Sequence, residues 1–181
     1  ANMKKSLARI AKLALIVCLL NGAAFADFRE HFDLGQNYLA NYQYSGAITE
    51  FRSALRINYL DNSARIGLIN AYLARAAEYG NRDNNWAKAA DDFRSALFYM
   101  VYYPTSTQVQ NSASAINQAT QNLEICLKAT NFDFSPENRF NYAKKLRAEG
   151  NFSAAAYEFN QALGSKNLQK NSFEQVGDIM K

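Results

Sequence analysis

A repeated five-residue motif is the feature that most constrains the fold of this chain. Phe-Arg-Ser-Ala-Leu occupies residues 51–55 and again residues 93–97, and Phe-Asn-Gln-Ala-Leu occupies residues 159–163. An alanine lies four residues before each of the three phenylalanines. Apolar residues that are three and four positions apart share one face of an α-helix, so each copy predicts an amphipathic helix. Three copies predict a helical unit that is used repeatedly.

A second motif recurs upstream of the first one. Leu34-Gly35-x-x-Tyr38 is followed by Leu68-Ile69-x-x-Tyr72, and Gly35 and Ile69 lie 34 residues apart (69 − 35). A period of this size is typical of stacked helical hairpins, because one hairpin cannot bury its apolar face alone and needs a neighbour.

Together these motifs resemble the tetratricopeptide repeat (TPR). In that family the first helix of a hairpin carries Leu-Gly and Tyr, and the second carries Ala, Phe and Ala at spacings of four and three. The matching residues are His31, Leu34, Gly35, Tyr38, Ala47, Phe51 and Ala54 in the first repeat, Arg65, Leu68, Ile69, Tyr72, Ala89, Phe93 and Ala96 in the second, Arg139, Tyr142, Ala143, Leu146, Ala155, Phe159 and Ala162 in the third, and Phe173, Val176, Gly177 and Met180 at the start of a fourth. The resemblance implies an all-α fold, a right-handed superhelical solenoid of antiparallel helix hairpins. Small residues there allow close approach of helices, and aromatic residues fill the gaps between hairpins.

The stretch between the second and third repeats has a different pattern. It is rich in Asn, Gln, Ser and Thr, yet Val109, Ile116 and Leu123 recur every seven residues. This narrow apolar stripe predicts one long extra helix at about 105–129 that lies along the preceding pair as a cap or spacer. Cys126 belongs to this helix, and we expect it to be buried as a small apolar residue.

Residues 1–26 have the layout of a secretory signal peptide. A basic start is followed by the apolar segment Leu13–Leu20 and by Ala24-Phe25-Ala26, a small-x-small cleavage site. Ala1 and Asn2, ahead of the methionine, are interpreted as a cloning remnant. We therefore expect cleavage before Asp27 and a periplasmic or extracellular protein. The alternative is an uncleaved N-terminal helix that anchors the chain at a membrane surface.

The remaining chain divides into three predicted segments. Residues 27–103 hold the first two repeats, residues 104–135 hold the long helix and a linker, and residues 136–181 hold the third repeat and the start of a fourth. An end at Lys181 would leave an apolar helix face uncovered, so we expect the natural chain to continue beyond it.

Charge argues against nucleic acid as a partner. The signal segment holds four of the 20 basic residues and none of the 16 acidic ones, so the rest has equal numbers of each and no basic stripe. Five arginines and two aspartates are expected on solvated helix faces: Arg52, Arg56, Arg65, Arg75, Arg82, Asp91 and Asp92.

No catalytic residue, metal site or cofactor is predicted. The single histidine, His31, occupies a packing position of the first repeat, and one histidine with one cysteine cannot form a zinc site. The chain has no Gly-rich phosphate loop and no nucleophile elbow. These observations favour a non-enzymatic protein.

The TPR resemblance implies a concave groove lined by the first helices of successive repeats. The corresponding residues are Arg29, Phe32, Gln36, Leu39, Ser63, Ile66, Asn70, Leu73, Phe140, Lys144 and Arg147. This mixture of apolar and polar side chains suits an extended or helical peptide with hydrophobic side chains. The sequence therefore predicts an exported TPR scaffold that binds a protein or peptide partner in the bacterial cell envelope. Two alternatives stay open: a membrane-tethered subunit that organises an oligomer, and an accessory repeat region of a larger envelope enzyme.

Overall fold

The computed structural model describes residue 22, residues 24–102 and residues 109–164; the side chain of Tyr102 and those of residues 109–112 are left out of the description. Within these ranges every regular element is an α-helix, and neighbouring helices pack in order. The predicted all-α fold is confirmed for this part of the chain. The apolar segment of the predicted signal peptide and the motif from Phe173 to Met180 lie outside the described residues.

Helices follow one another with short connections. Their bounds are 24–40 for α1, Tyr44–Ile57 for α2, Asn62–Asn81 for α3, Trp86–Tyr102 for α4, Val109–Ala129 for α5, Pro136–Ala148 for α6 and Phe152–Leu163 for α7. The chain forms two compact units, a first unit up to Gly67 and a second unit from Leu68. No helix within the described ranges combines the length and the apolar character needed to cross a membrane.

Side-chain oxygens cap the starts of α3, α4 and α6. At the start of α4, Asn85 Oδ1 accepts a hydrogen bond from the backbone N–H of Lys88 at 3.2 Å. Asp61 Oδ1 accepts a hydrogen bond from the backbone N–H of Ala64 at 2.8 Å, at the start of α3. Ser135 Oγ accepts one from the N–H of Asn138 at 3.3 Å, and Pro136 occupies the first turn of α6. Each cap satisfies an N–H group that has no partner within the helix.

The first and third hairpins have the same turn. Tyr42 and Gly150 have left-handed backbones, with φ of 60° and 78°. The following residue donates its N–H to the carbonyl five residues earlier, Gln43 to Tyr38 and Asn151 to Leu146, at 2.9 Å in both cases. This is the Schellman arrangement that ends a helix, and the next helix begins one residue later in both hairpins. Glycine accepts this backbone geometry without strain, whereas a tyrosine does not.

In the first unit, neighbouring helices pack around one aromatic ring. Phe51, on α2, is fully buried and lies against the backbone of α1, where a Cβ atom added at Gly35 would be 2.9 Å from Cδ1 of the ring. A Cβ added at Gly67, on α3, would be closer still to Cζ. Both α1 and α3 therefore pack on the same side chain of α2, and the absence of a side chain at each glycine makes this approach possible.

Two apolar clusters form the core of the second unit. The first, the α3–α5 cluster, consists of Ala76, Ala89, Ala90, Phe93, Leu97, Ala119, Leu123, Cys126 and Leu127. The second, the α6–α7 cluster, consists of Ala143, Leu146, Ala154, Ala155 and Phe159. Like Phe51, Phe93 and Phe159 are buried, as the repeat pattern predicts. Cys126 is buried as expected. Leu123 belongs to the α3–α5 cluster and Ile116 packs against it, so these two residues of the predicted stripe face the core.

Candidate functional site

The predicted groove residues of the first unit combine exposed polar and half-buried apolar side chains. Arg29, Gln36 and Ser63 are exposed, and Phe32, Leu39 and Ile66 are half-buried. The Phe32 ring stacks on Phe28 with centroids 6.0 Å apart and meets Phe51 edge-on at 6.1 Å. Phe32 therefore belongs partly to the core, and only part of its surface is available to a partner.

The groove residues predicted in the second unit follow the same alternation. Asn70, Lys144 and Arg147 are exposed, whereas Leu73 and Phe140 are half-buried. Leu73 packs against the α3–α5 cluster. Phe140 packs edge-on against Phe159 at 5.3 Å, and the Lys144 ammonium lies 5.1 Å from the Phe140 ring centroid. The structure thus brings Phe140 and Lys144 into direct contact.

A buried network of charged side chains, absent from the sequence-based expectations, joins α4 to the α6–α7 hairpin. We call it the charged joint; its members are Asp91, Arg94, Arg139, Tyr142 and Glu158. Arg94 Nε donates a hydrogen bond to Glu158 Oε1 at 2.5 Å, and Arg139 Nη1 donates to Glu158 Oε2 at 2.7 Å. The side chains of Arg94 and Glu158 are 1% and 0% exposed. A carboxylate from α7 therefore holds guanidinium groups from α4 and α6.

Asp91 completes the charge balance of the joint. Its Oδ1 accepts hydrogen bonds from Arg94 Nη1 at 3.0 Å and from Tyr142 Oη at 2.9 Å. Burial raises the pKa of Asp91, although Arg94 and the Tyr142 hydrogen bond oppose the rise. The pKa of Tyr142 is also raised, first by burial and then by the Asp91 charge. Two cations and two carboxylates thus share one buried site, and neutrality is what makes such burial tolerable.

Aromatic rings enclose the Arg94 guanidinium. Its Cζ lies 4.7 Å from the Tyr142 ring centroid and 5.0 Å from that of Phe132. A cation between ring faces gains electrostatic stabilisation that partly replaces lost water. In the described part of the chain, Nη2 of Arg94 is nevertheless buried without a hydrogen-bond partner. The site is therefore tightly packed but not fully satisfied.

Arg75 and Asp92, which the sequence analysis placed on solvated helix faces, form a second charge pair. Arg75, on α3, donates from Nε and Nη2 to the two oxygens of Asp92, on α4, at 2.7 and 2.8 Å. Asp92 is buried, and burial raises its pKa despite Arg75. Arg65 is buried as well, and its Nη2 donates to the Tyr59 carbonyl at 2.6 Å. For Arg65, Arg75 and Asp92, the prediction of solvent exposure was wrong. It was wrong for Asp91 as well, whose side chain is 21% exposed, like that of Arg75.

The ionisable side chains described so far connect neighbouring helices to one another. His31 Nδ1 lies 2.7 Å from Glu50 Oε2 and links α1 to α2. No group of three His, Cys, Asp or Glu side chains in those ranges is arranged to hold a metal ion. The members of the charged joint are engaged with one another, so their arrangement is that of a structural connection between helices.

Comparison of the chain with protein-family models, with curated proteins and with solved structures finds no match. The likeness to TPR proteins therefore stays a prediction from the residues of this chain.

Proposed function

We propose that this protein is a non-enzymatic helical-repeat scaffold of the TPR type that binds a protein or peptide partner. The observation that carries the proposal is the position of Phe51 between Gly35 and Gly67, because it packs two successive first helices on one second helix. The identical turns of the first and third hairpins add support, since a repeated unit repeats its local geometry.

The binding surface proposed for each unit is the exposed face of its first helices. Half-buried apolar side chains such as Phe32 and Phe140 alternate there with exposed polar ones such as Gln36 and Lys144. Apolar groups that are anchored in the core present contact area at little cost in side-chain entropy, and the neighbouring polar groups fix the direction of a peptide.

We further propose that the protein acts outside the cytoplasm. The support is the layout of residues 1–26, with its basic start, apolar segment and small-x-small site. In the envelope such a scaffold would hold an extended segment of another envelope protein.

Site-specific photo-crosslinking in cells of the source organism tests the binding role. A photoreactive phenylalanine analogue replaces Gln36 in the first unit or Lys144 in the second. The controls carry the same analogue at Arg52 on α2 or Lys128 on α5, which are equally exposed but lie outside the predicted surface. We expect both test positions to crosslink the same partner and both controls to give no such adduct. Adducts of equal yield from the controls, or none from Gln36 and Lys144, would refute the proposal.

A further inference from the structure

We propose that the charged joint is a point of opening, at which the α6–α7 hairpin separates from α4 while the α3–α5 cluster and the α6–α7 cluster stay intact. The proposal concerns the second unit alone and does not depend on the binding role proposed above.

The contacts inside each apolar cluster differ in kind from the contacts that join the two clusters. Helices α3, α4 and α5 share one apolar cluster, to which the Arg75–Asp92 ion pair is added between α3 and α4. Helices α6 and α7 share the second apolar cluster, together with the Arg139–Glu158 pair. Between α4 and α7 the buried contacts include the Arg94–Glu158 ion pair and a 3.2 Å hydrogen bond between Ser95 Oγ and Asn151 Oδ1. Polar groups therefore take part in the contact of the α6–α7 hairpin with α4, beside the apolar contacts of Tyr157 with the α3–α5 cluster and of Phe132 with Tyr142.

Polar attachment lowers the cost of separation. When an apolar cluster opens, its side chains become exposed to water, and no new interaction offsets the free energy that this exposure costs. When the charged joint opens, Arg94, Glu158, Arg139 and Asp91 regain hydration, and this recovers much of the coulombic energy that is lost. Arg94 Nη2, unpaired in the closed state, gains a water partner. These contacts are the reason why we place the point of opening at the joint.

The chain supplies a pivot next to the joint. Between the end of α5 at Ala129 and the start of α6 at Pro136 it forms no helix. Asn131, within this connection, has a left-handed backbone with φ of 52°. Rotations in a short connection of this kind move one helical hairpin relative to another without disturbing either.

Cys126 is a natural reporter of the opening. It is buried in the α3–α5 cluster, and Arg94 is near enough to influence its pKa electrostatically. Burial raises the pKa of this thiol, so the folded, closed protein offers little reactive thiolate. Phe132 packs against the α3–α5 cluster and also against Tyr142 of the hairpin. Separation of the hairpin therefore withdraws this ring from one side of the cluster while its helices stay packed, and we expect water and iodoacetamide to reach Cys126 from that side.

The test is the rate of iodoacetamide labelling of Cys126, followed by peptide mass spectrometry on the full chain. Glu158→Gln leaves the guanidinium groups of Arg94 and Arg139 against the single carboxylate of Asp91. We therefore expect labelling to accelerate by about tenfold or more while helix content is retained. Glu50→Gln, which removes the same kind of charge from the His31 pair in the first unit, is the matched control and should label at the wild-type rate.

The urea dependence of wild-type labelling provides a second readout, one that needs no variant to fold. Local opening exposes little surface, so the rate should rise only weakly with urea below the unfolding transition. A rate that follows global unfolding from the lowest urea concentrations would overturn the proposal. Equal labelling of Glu158→Gln and wild type would overturn it as well.

Discussion

The ring of Phe51 lies directly against the backbone of α3 at Gly67, in space that a Cβ atom would occupy. The same ring contacts α1 at Gly35. Within the first unit, α1 and the start of α3 thus meet α2 at one side chain, and two positions without side chains make the contact possible. We expect the stability of this arrangement to depend more on the volume of the side chain at position 67 than on the helix propensity of the residue there.

Replacement of Gly67 by alanine tests this relationship. A Cβ atom there forces the ring or the helix to move, which typically costs about 1–3 kcal/mol. Alanine in a helix interior recovers up to about 1 kcal/mol through its higher propensity. We expect a net loss of stability, measured as a lower urea midpoint by circular dichroism. Gly164→Ala is the control, because an added Cβ there meets only backbone oxygens at 3.7 Å. A Gly67→Ala protein at least as stable as wild type would contradict the packing described.

Two phenylalanines on α7 provide a matched pair for the second unit. Phe159 is 1% exposed and belongs to the α6–α7 cluster, whereas Phe152 is 50% exposed. We expect Phe159→Ala to lower the free energy of unfolding by about 3–5 kcal/mol, because it removes buried area and leaves a cavity. Phe152→Ala should change it by less than about 1 kcal/mol. Urea unfolding of both variants measures the difference, and equal losses would show that Phe159 is not a core residue.

Much of the local structure follows from the sequence, because its causes are local. Apolar spacing predicts the helices, Asp61 and Ser135 mark helix starts, and the phenylalanine of each repeated motif is buried. Gly67 could not be predicted in this way. Alignment of the repeat motif placed Ile69, not Gly67, at the position of the small residue, whereas the close approach to Phe51 occurs at Gly67.

The charged joint shows why the rest could not be predicted. Arg52 and Arg94 occupy the same place in identical Phe-Arg-Ser-Ala-Leu motifs, yet Arg52 is exposed and Arg94 is buried. The difference comes from Glu158, 64 residues away from Arg94 in the chain. Helical periodicity predicts which face of a helix a residue occupies, but it does not predict which distant element covers that face. The same limitation explains the wrong prediction for Asp92, whose partner Arg75 lies on the preceding helix.

Asp91 should show an unusual pH dependence. Its pKa is raised above the ordinary value of 3.8, mainly by burial, so the folded protein binds its proton more readily than the unfolded chain does. Its ionisation therefore costs stability, and this cost disappears as the pH falls from neutral through the folded-state pKa towards 3.8. The stability of wild type relative to Asp91→Asn, measured by thermal unfolding, should rise over that range.

Asp133 provides a control, because its pKa is shifted in the opposite direction to that of Asp91. It is exposed, and its pKa is lowered because the N–H of Ser135 donates to its Oδ1 at 2.8 Å. Its contribution is present above its ordinary pKa and is lost as the pH falls through the lower, folded-state value. Relative to Asp133→Asn, wild type should therefore lose stability on acidification. Parallel trends for the two variants would contradict the environments assigned to these carboxylates.

The contact of Phe51 with Gly35 and Gly67 is the observation on which we base the proposed repeat architecture and the proposed binding surface. Nuclear Overhauser spectroscopy of the protein in solution measures this contact directly. We predict cross-peaks from the Phe51 ring protons to the Hα protons of Gly35 and of Gly67, with both Hα resonances shifted by the ring current. A spectrum in which the assigned Phe51 ring shows cross-peaks to neither glycine would contradict the packing of this ring against Gly35 and Gly67.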